Sequence, residues 1–163
     1  GRMAIINPNA NVPTTNIVTL TQVWTFAAGT TGAVAAHTLF TITGRIFLDT
    51  IAAFCTTTLT SGGTPAITVG TASSVATLII APTGGAPGIV TNDWWATAVT
   101  PQLVANPLTV VTGGTVVSSR NMVIGENIVL DIPTSTVTGG VLEFYVAYRP
   151  LSSNGALAVT TPA

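Results

Sequence analysis

The sequence predicts an all-β protein: an antiparallel β-sandwich or barrel of the jelly-roll kind, preceded by an extended N-terminal arm. Two observations carry this prediction. Apolar and polar residues alternate with a period of two along most of the chain. The alternating segments are separated by clusters of glycine and proline, as at 60–65 and 81–88. No segment shows a sustained 3.6-residue period, and an immunoglobulin-like sandwich fits the same number of strands.

The predicted strands follow one another along the chain, and the first lies within 16–26, where β-branched residues are frequent. A last segment, "ALAV" at 156–159, can pair as an edge strand within an otherwise small and polar tail. The first fifteen residues contain two prolines and no alternation, which predicts an extended arm or a frayed terminus for 1–15 and one sandwich domain for 16–163. The remaining predicted strands are 35–43, 45–60, 66–71, 76–81, 91–96, 109–111, 115–119, 127–132 and 140–148.

Charged side chains are scarce. They make up 6% of the 163 residues, where about 25% is usual, there is no lysine, and the hydroxyl groups of 31 threonines supply much of the polarity. A folded chain of this mass exposes about 7,500 Å², which leaves one charge for roughly every 800 Å², about the area that one partner contributes to a standard protein interface. We therefore expect much of the surface to be covered in the working state.

The same composition argues against several classes of partner. A net charge of -1 and four scattered arginines argue against nucleic-acid binding, which needs clustered positive charge. Apolar runs such as 75–81 fall short of the ~18 residues of a membrane-spanning helix, so no membrane partner is expected. Cys55 is the single cysteine, which rules out a disulfide framework within the chain and fits maturation in a reducing cytoplasm.

Catalytic and metal chemistry have little support in the residue types. His37 is the single histidine, and with Cys55 it provides neither a catalytic triad nor the ligand number of a zinc site. We expect His37 to be structural or at the surface and Cys55 to be a small buried residue. The sequence predicts no enzyme and no cofactor. The few acids are expected mainly in ion pairs, in which Arg45, Arg120 or Arg149 meets Asp49, Asp131 or Glu143.

Four residues, at two places in the chain, are the candidate contact residues. Trp94 and Trp95 are adjacent on a predicted strand, so one indole can fill the core while the other faces outwards, as an interface anchor or a platform for a sugar ring. In the strand 140–148, Glu143 and Tyr145 lie on the face opposite a continuous apolar set, and this face is either wet or pressed against a neighbour. The apolar set is Leu142, Phe144, Val146 and Tyr148.

Four stretches of the chain resemble small structural proteins of tailed bacteriophages, in particular head decoration (cement) proteins. They are "GRIFLDTIAAFCTTTLTSGGTPAITVGT", "ATLIIA", "NDWW" and "GENIVLDIPTSTVTGGVLEFYVAYRPLSSNGAL", within roughly residues 40–157. The resemblance rests on the "ITVGT" hairpin and on the late strand pair that closes the sheet. It implies a protein made in the host cytoplasm that clusters as a homotrimer on the capsid surface, with the major capsid protein as partner, and stabilises the head by bridging capsomers. The scarcity of charge departs from this family.

A second hypothesis belongs to a different class. An outward tryptophan beside a glycine- and proline-rich loop is also typical of glycan- or receptor-binding modules of a phage tail or a cell surface. Glycan binding that is lost on substitution of Trp94 or Trp95 would favour this class over the capsid protein.

Overall fold

The computed structural model describes residues 17–96, 111–112 and 122–160. In these ranges the chain forms eleven β-strands and one short 3₁₀ turn at Ala86–Gly88, and every strand pair is antiparallel. The strands are β1 (Val18–Thr25), β2 (Ala35–Thr43), β3 (Ile46–Ser61), β4 (Thr68–Thr71), β5 (Ser74–Ile79), β6 (Asp93–Trp95), β7 (Val111–Thr112), β8 (Met122–Ile124), β9 (Ile128–Ile132), β10 (Val137–Pro150) and β11 (Ala156–Val159).

The strands form two sheets of a sandwich. One sheet has the order β1-β10-β3-β6-β7, with β8 paired to β3 beside β6, and the other has the order β11-β2-β9-β4-β5. Four strands of each sheet follow one another in the orders β1-β10-β3-β6 and β2-β9-β4-β5. Most consecutive strands of this set lie in opposite sheets. This is the strand order of an eight-stranded jelly roll. The predicted antiparallel sandwich is therefore confirmed, and its connections are those of a jelly roll and not of an immunoglobulin-like domain.

The core lies between the sheets. β1 and β10 contribute alternate residues to it, whereas β2 buries two consecutive residues, Leu39 and Phe40. In β10 the predicted apolar set is buried, whereas the residues between them face outwards. The alternation fits because successive side chains of a strand point to opposite faces. Other large, fully buried side chains include Phe40, Leu48, Ile51, Leu78 and Trp95.

One polar side chain ties the two sheets together at the edge of the sandwich. Gln22 of β1 is buried, and its amide accepts a hydrogen bond from the Thr160 N–H at 3.0 Å and donates to the Thr160 carbonyl. Thr160 directly follows β11 in the opposite sheet. A buried amide that exchanges both of its bonds with one main-chain residue acts like an added rung of a β-ladder.

Several strand boundaries differ from the predicted ones. The predicted strand 66–71 begins only at Thr68, and 91–96 shortens to Asp93–Trp95. The segment Met122–Ile124 was not predicted, since three residues give too little alternation to recognise. The tail segment Ala156–Val159 does pair at the edge of a sheet, with β2. The predicted arm 1–15 and the predicted strand 115–119 lie outside the described residues.

Candidate interaction surface

The two adjacent tryptophans of β6 occupy opposite faces of the six-stranded sheet. Trp95 is 0% exposed, its ring meets Phe144 edge-on at 6.4 Å, and its indole N–H donates to the Ile80 carbonyl at 3.0 Å. Trp94 points to the outer face and is half-buried there. Trp95 is thus part of this chain's own core. Of the four candidate contact residues, Trp94, Glu143 and Tyr145 lie on the outer face.

Three aromatic rings meet on this outer face, and we call them the aromatic cluster: Phe54, Trp94 and Tyr145. The ring centroids of Phe54 and Trp94 are 5.0 Å apart, and those of Trp94 and Tyr145 are 5.7 Å apart, with interplanar angles of 56° and 48°. The cluster forms because β6 and β10 both pair with β3, which places Trp94 beside Phe54 and Tyr145 opposite Ala52. Tilted ring pairs at this separation are favourable beyond the area that they bury.

The one acid beside the cluster is held within the face. Glu143 lies opposite Phe54, and its carboxylate accepts a hydrogen bond from the Tyr145 hydroxyl at 2.5 Å. This bond to the carboxylate is the main reason why the pKa of Tyr145 is raised, with smaller contributions from burial and from the charge of Glu143. Tyr145 nevertheless remains 37% exposed, so its ring is open to a partner.

The cluster continues towards β1 as a surface of threonine and valine. Val23, which is 52% exposed, lies opposite Glu143, and Thr21 lies opposite Tyr145. Between these strands is a shallow depression of about 240 Å³ with an almost entirely apolar lining. Its lining residues are Thr19, Leu20, Thr21, Thr50, Tyr145, Val146 and Ala147.

An ion pair lies at the far end of the same face. Arg149 binds Asp49 through two hydrogen bonds of 2.9 and 3.2 Å, and its guanidinium carbon lies 4.6 Å from the centroid of the Phe47 ring. The predicted pairing of an arginine with a neighbouring acid is confirmed for these two residues. Because the pair cancels internally, Glu143 is the one unbalanced charge on the described strands of this face.

A buried acid and the single thiol lie beneath this surface. Asp93 is 2% exposed; its Oδ2 accepts the Val90 N–H at 3.0 Å, whereas Oδ1 has no hydrogen-bond partner. The Cys55 thiol donates to the Thr57 carbonyl at 3.2 Å. Burial, and secondly the charge of Asp93, raise the pKa of Cys55 to about 11. The prediction that Cys55 is buried is confirmed, and a thiol with such a pKa is a poor nucleophile at neutral pH.

Two further titratable groups, His37 and Glu126, have hydrogen-bond partners. His37 Nε2 lies 2.8 Å from the Ala33 carbonyl, and its ring centroid is 5.8 Å from that of Trp24. Hydrogen bonds from Ser73, chiefly from its hydroxyl, lower the pKa of Glu126. Among the described residues no group of three or more His, Cys, Asp or Glu side chains is placed to hold a metal ion. No helix in that part of the chain has the length and apolar character to cross a membrane.

Comparisons with known proteins add no assignment, since the chain matches no protein-family model, no curated protein and no solved structure. The resemblance to phage decoration proteins therefore remains a hypothesis, and its support comes from the surface just described. Local sequence did not identify Phe54 as part of that surface. Its neighbours Trp94 and Glu143 lie beside it only because β6 and β10 both pair with β3.

Proposed function

We propose that this chain is a non-enzymatic structural protein of a phage particle, a head decoration protein whose outer sheet face binds other subunits. The observation that carries the proposal is the aromatic cluster on a face whose described strands carry one unbalanced charge, Glu143, which is bonded to Tyr145. Such a face gains free energy when it leaves water and requires no charged partner.

The composition and the fold class support the same assignment. Only nine of 163 residues are charged, so a free copy exposes a surface with unusually few charges. Such a surface favours association, and other copies of the chain or a capsid would cover it. Jelly rolls occur in viral capsid domains and in lectins. A shared fold is an analogy and leaves the function to be argued from the surface. In this proposal the chain associates with copies of itself, sits on the capsid surface and bridges copies of the major capsid protein.

The test uses heads of the phage that encodes the chain, assembled without it. Purified chain is mixed with these heads at low salt and in about 1 M NaCl, and bound protein is measured after sedimentation of the heads. We expect saturable binding that survives high salt, because a Debye length near 3 Å screens charges but leaves apolar contacts intact. Loss of binding in high salt, or no binding at either salt, contradicts the proposal.

A matched pair of variants locates the contact. Trp94→Ala removes a ring of the cluster, whereas Val123→Ala removes an exposed side chain of the same sheet beside Phe47, at the end of the face remote from the cluster. We expect Trp94→Ala to weaken binding to heads at least about tenfold, as truncation of an interface anchor does. Val123→Ala should bind as the unmodified chain does.

One observation favours a glycan-binding module as the second candidate. The depression beside Tyr145 has an exposed aromatic ring at one side and an apolar lining, on which the apolar face of a sugar ring can stack. Glycan-array binding that disappears in Tyr145→Ala, together with no binding to heads, would establish this candidate over the first.

A further inference from the structure

The outer edge of the six-stranded sheet lacks the features that usually protect an edge strand. Among the described strands, β1 pairs on one side only, with β10, through eight consecutive residue pairs that contain no register shift. The strand has no charged residue and no proline. Natural edge strands usually carry lysine, proline or a bulge, which stop another strand from adding to them. β1 has none of these.

The direction of the main-chain groups along β1 follows from one hydrogen bond. The Phe26 N–H, directly after β1, donates to the Gly140 carbonyl of β10 at 3.0 Å, so the main-chain groups of Phe26 point towards β10. Main-chain groups of an antiparallel strand alternate between its two edges, so the even-numbered residues bond to β10 and the odd-numbered ones point outwards. The Thr25 carbonyl follows this alternation: it points away from β10 and accepts a hydrogen bond from the Thr31 hydroxyl, on the loop after β1. The outward residues that remain are Thr19, Thr21 and Val23.

These outward groups have no hydrogen-bond partner in the described part of the chain. Their side chains are exposed, and two apolar side chains lie at the same edge, Ile17 at 56% and Val23 at 52% exposure. The edge therefore presents both a row of free main-chain groups and apolar area.

The other sheet edges within the described ranges are poorer templates. β11 has four residues and β7 has two, and the pairing of β5 with β4 contains a register shift. A strand that adds to a sheet gains affinity from a run of regular main-chain bonds. β1 is the described edge that offers such a run.

We propose that β1 pairs antiparallel with β1 of a second copy of this chain, which joins the two six-stranded sheets across a two-fold axis. With Thr21 of one copy opposite Thr21 of the other, Thr19 lies opposite Val23. Each of these three outward pairs exchanges two bonds, so the contact holds about six main-chain hydrogen bonds. A two-fold contact of this kind is self-complementary and closes at two copies.

A second copy fits this edge better than a charged peptide does. Because β1 has no charge, pairing it with itself brings no like charges together, and the opposed side chains are threonine and valine, which pair well across strands. The contact also places the two outer faces side by side, so that the aromatic clusters of both copies belong to one continuous surface. The inference deepens the self-association part of the proposed function and rests on it only there. Its two-fold symmetry differs from the homotrimer that the resemblance to decoration proteins implies.

The test compares two substitutions at the centre of the contact. Thr21→Pro removes the outward N–H, and proline is tolerated on an edge strand whose N–H faces away from the sheet. Thr21→Ala removes the same side chain and keeps the N–H. We expect the dimer dissociation constant, measured by sedimentation equilibrium, to be about tenfold or more higher for Thr21→Pro than for Thr21→Ala, since two central bonds are lost.

Hydrogen exchange measured by NMR gives a second readout that a contact through the outer face would not produce. As the concentration of the unmodified chain rises, the amides of Thr19, Thr21 and Val23 should change from fast to slow exchange. The amides of Leu20 and Gln22, already bonded to β10, should be slow at every concentration.

The outcomes separate this inference from the proposed function. If Thr21→Pro folds by circular dichroism and dimerises like Thr21→Ala, or if the three outward amides stay fast in the assembled chain, the inference is overturned. Should Thr21→Pro fail to fold, Thr21→Lys keeps the N–H and opposes two like charges, and an unchanged dimer at low salt would then overturn it. A folded, monomeric Thr21→Pro that still binds phage heads supports both proposals. An assembly that only Trp94→Ala dissolves overturns the edge contact and leaves the proposed function standing.

Discussion

The hydroxyl of Tyr145 donates a 2.5 Å hydrogen bond to the Glu143 carboxylate two residues earlier on the same face of β10. This bond gives the carboxylate one hydrogen-bond donor within its own chain, while its charge stays unbalanced. A buried carboxylate without a partner would oppose such a contact, because desolvation of an unpaired charge is costly. The bond to Tyr145 therefore lowers, without removing, the cost of covering this acid in the proposed contact.

The first prediction concerns the ionisation of Tyr145. Since the bond to the Glu143 carboxylate raises the pKa of Tyr145, Glu143→Gln should lower that pKa. The near-ultraviolet absorbance of tyrosinate measures the tyrosine titration in the unmodified chain and in the variant. A folded-state pKa above the unfolded value stabilises the fold below the unfolded pKa of about 10, and this stabilisation disappears as the pH rises through the folded pKa. Tyr145→Phe is the control that removes this titration and leaves Tyr148. An unchanged tyrosine titration in Glu143→Gln would show that the bond does not exist in solution.

Local sequence predicted the faces of single strands but not the contacts between them. The period of two was enough to place Phe144 in the core and Tyr145 outside it, because side-chain direction in a strand depends only on position. The aromatic cluster needed Phe54, which is 40 residues before Trp94 in the chain and reaches it through strand pairing. The partner of Gln22 was likewise outside any local pattern, since it is 138 residues away.

The second prediction separates the two tryptophans by stability. Trp95→Ala empties a fully buried site and removes the bond to Ile80, so it should lower the free energy of unfolding by about 3 to 5 kcal/mol. Trp94→Ala removes ring contacts with Phe54 and Tyr145 on a half-buried face and should cost only about 1 to 2 kcal/mol. Guanidinium unfolding of both variants measures the difference. Equal losses would mean that Trp94 also acts as a core residue.

The third prediction concerns the bond between β1 and the residue after β11. Gln22→Leu is similar in size but leaves the Thr160 carbonyl without its donor, which should destabilise the fold by about 1 to 3 kcal/mol. The Thr160 N–H keeps a second acceptor, the Leu39 carbonyl at 3.0 Å, so the loss comes mainly from the carbonyl. Guanidinium unfolding measures the loss. Thr160→Ala is the matched control, because it keeps both main-chain bonds and removes only an exposed hydroxyl contact with Thr41. Equal free energies of unfolding in both variants would argue against the bond.

The last prediction tests the main chain of β10 where it bends beside β3. Gly140 has a φ of +113°, and a Cβ added there would lie 2.5 Å from Leu59 Cδ2 and 2.8 Å from both Leu59 Cα and the Thr58 carbonyl oxygen. Gly140→Ala must therefore strain its own backbone and displace β3 as well, so it should lower the free energy of unfolding by about 3 kcal/mol or more. Gly139→Ala is the neighbouring control, since its Cβ would meet only the Thr60 hydroxyl, at 3.1 Å.

Thermal unfolding followed by circular dichroism measures both glycine variants under one condition. We expect a clear fall in the melting temperature for Gly140→Ala and a small change for Gly139→Ala. The Gly140 carbonyl also accepts the Phe26 N–H that fixes the direction of β1, so Gly140→Ala should speed amide exchange at Phe26. The same melting temperature for Gly140→Ala and Gly139→Ala would show that β10 does not approach β3 closely at this bend. If exchange at Phe26 is also unchanged, the assignment of inward and outward main-chain groups along β1 loses the hydrogen bond on which it depends.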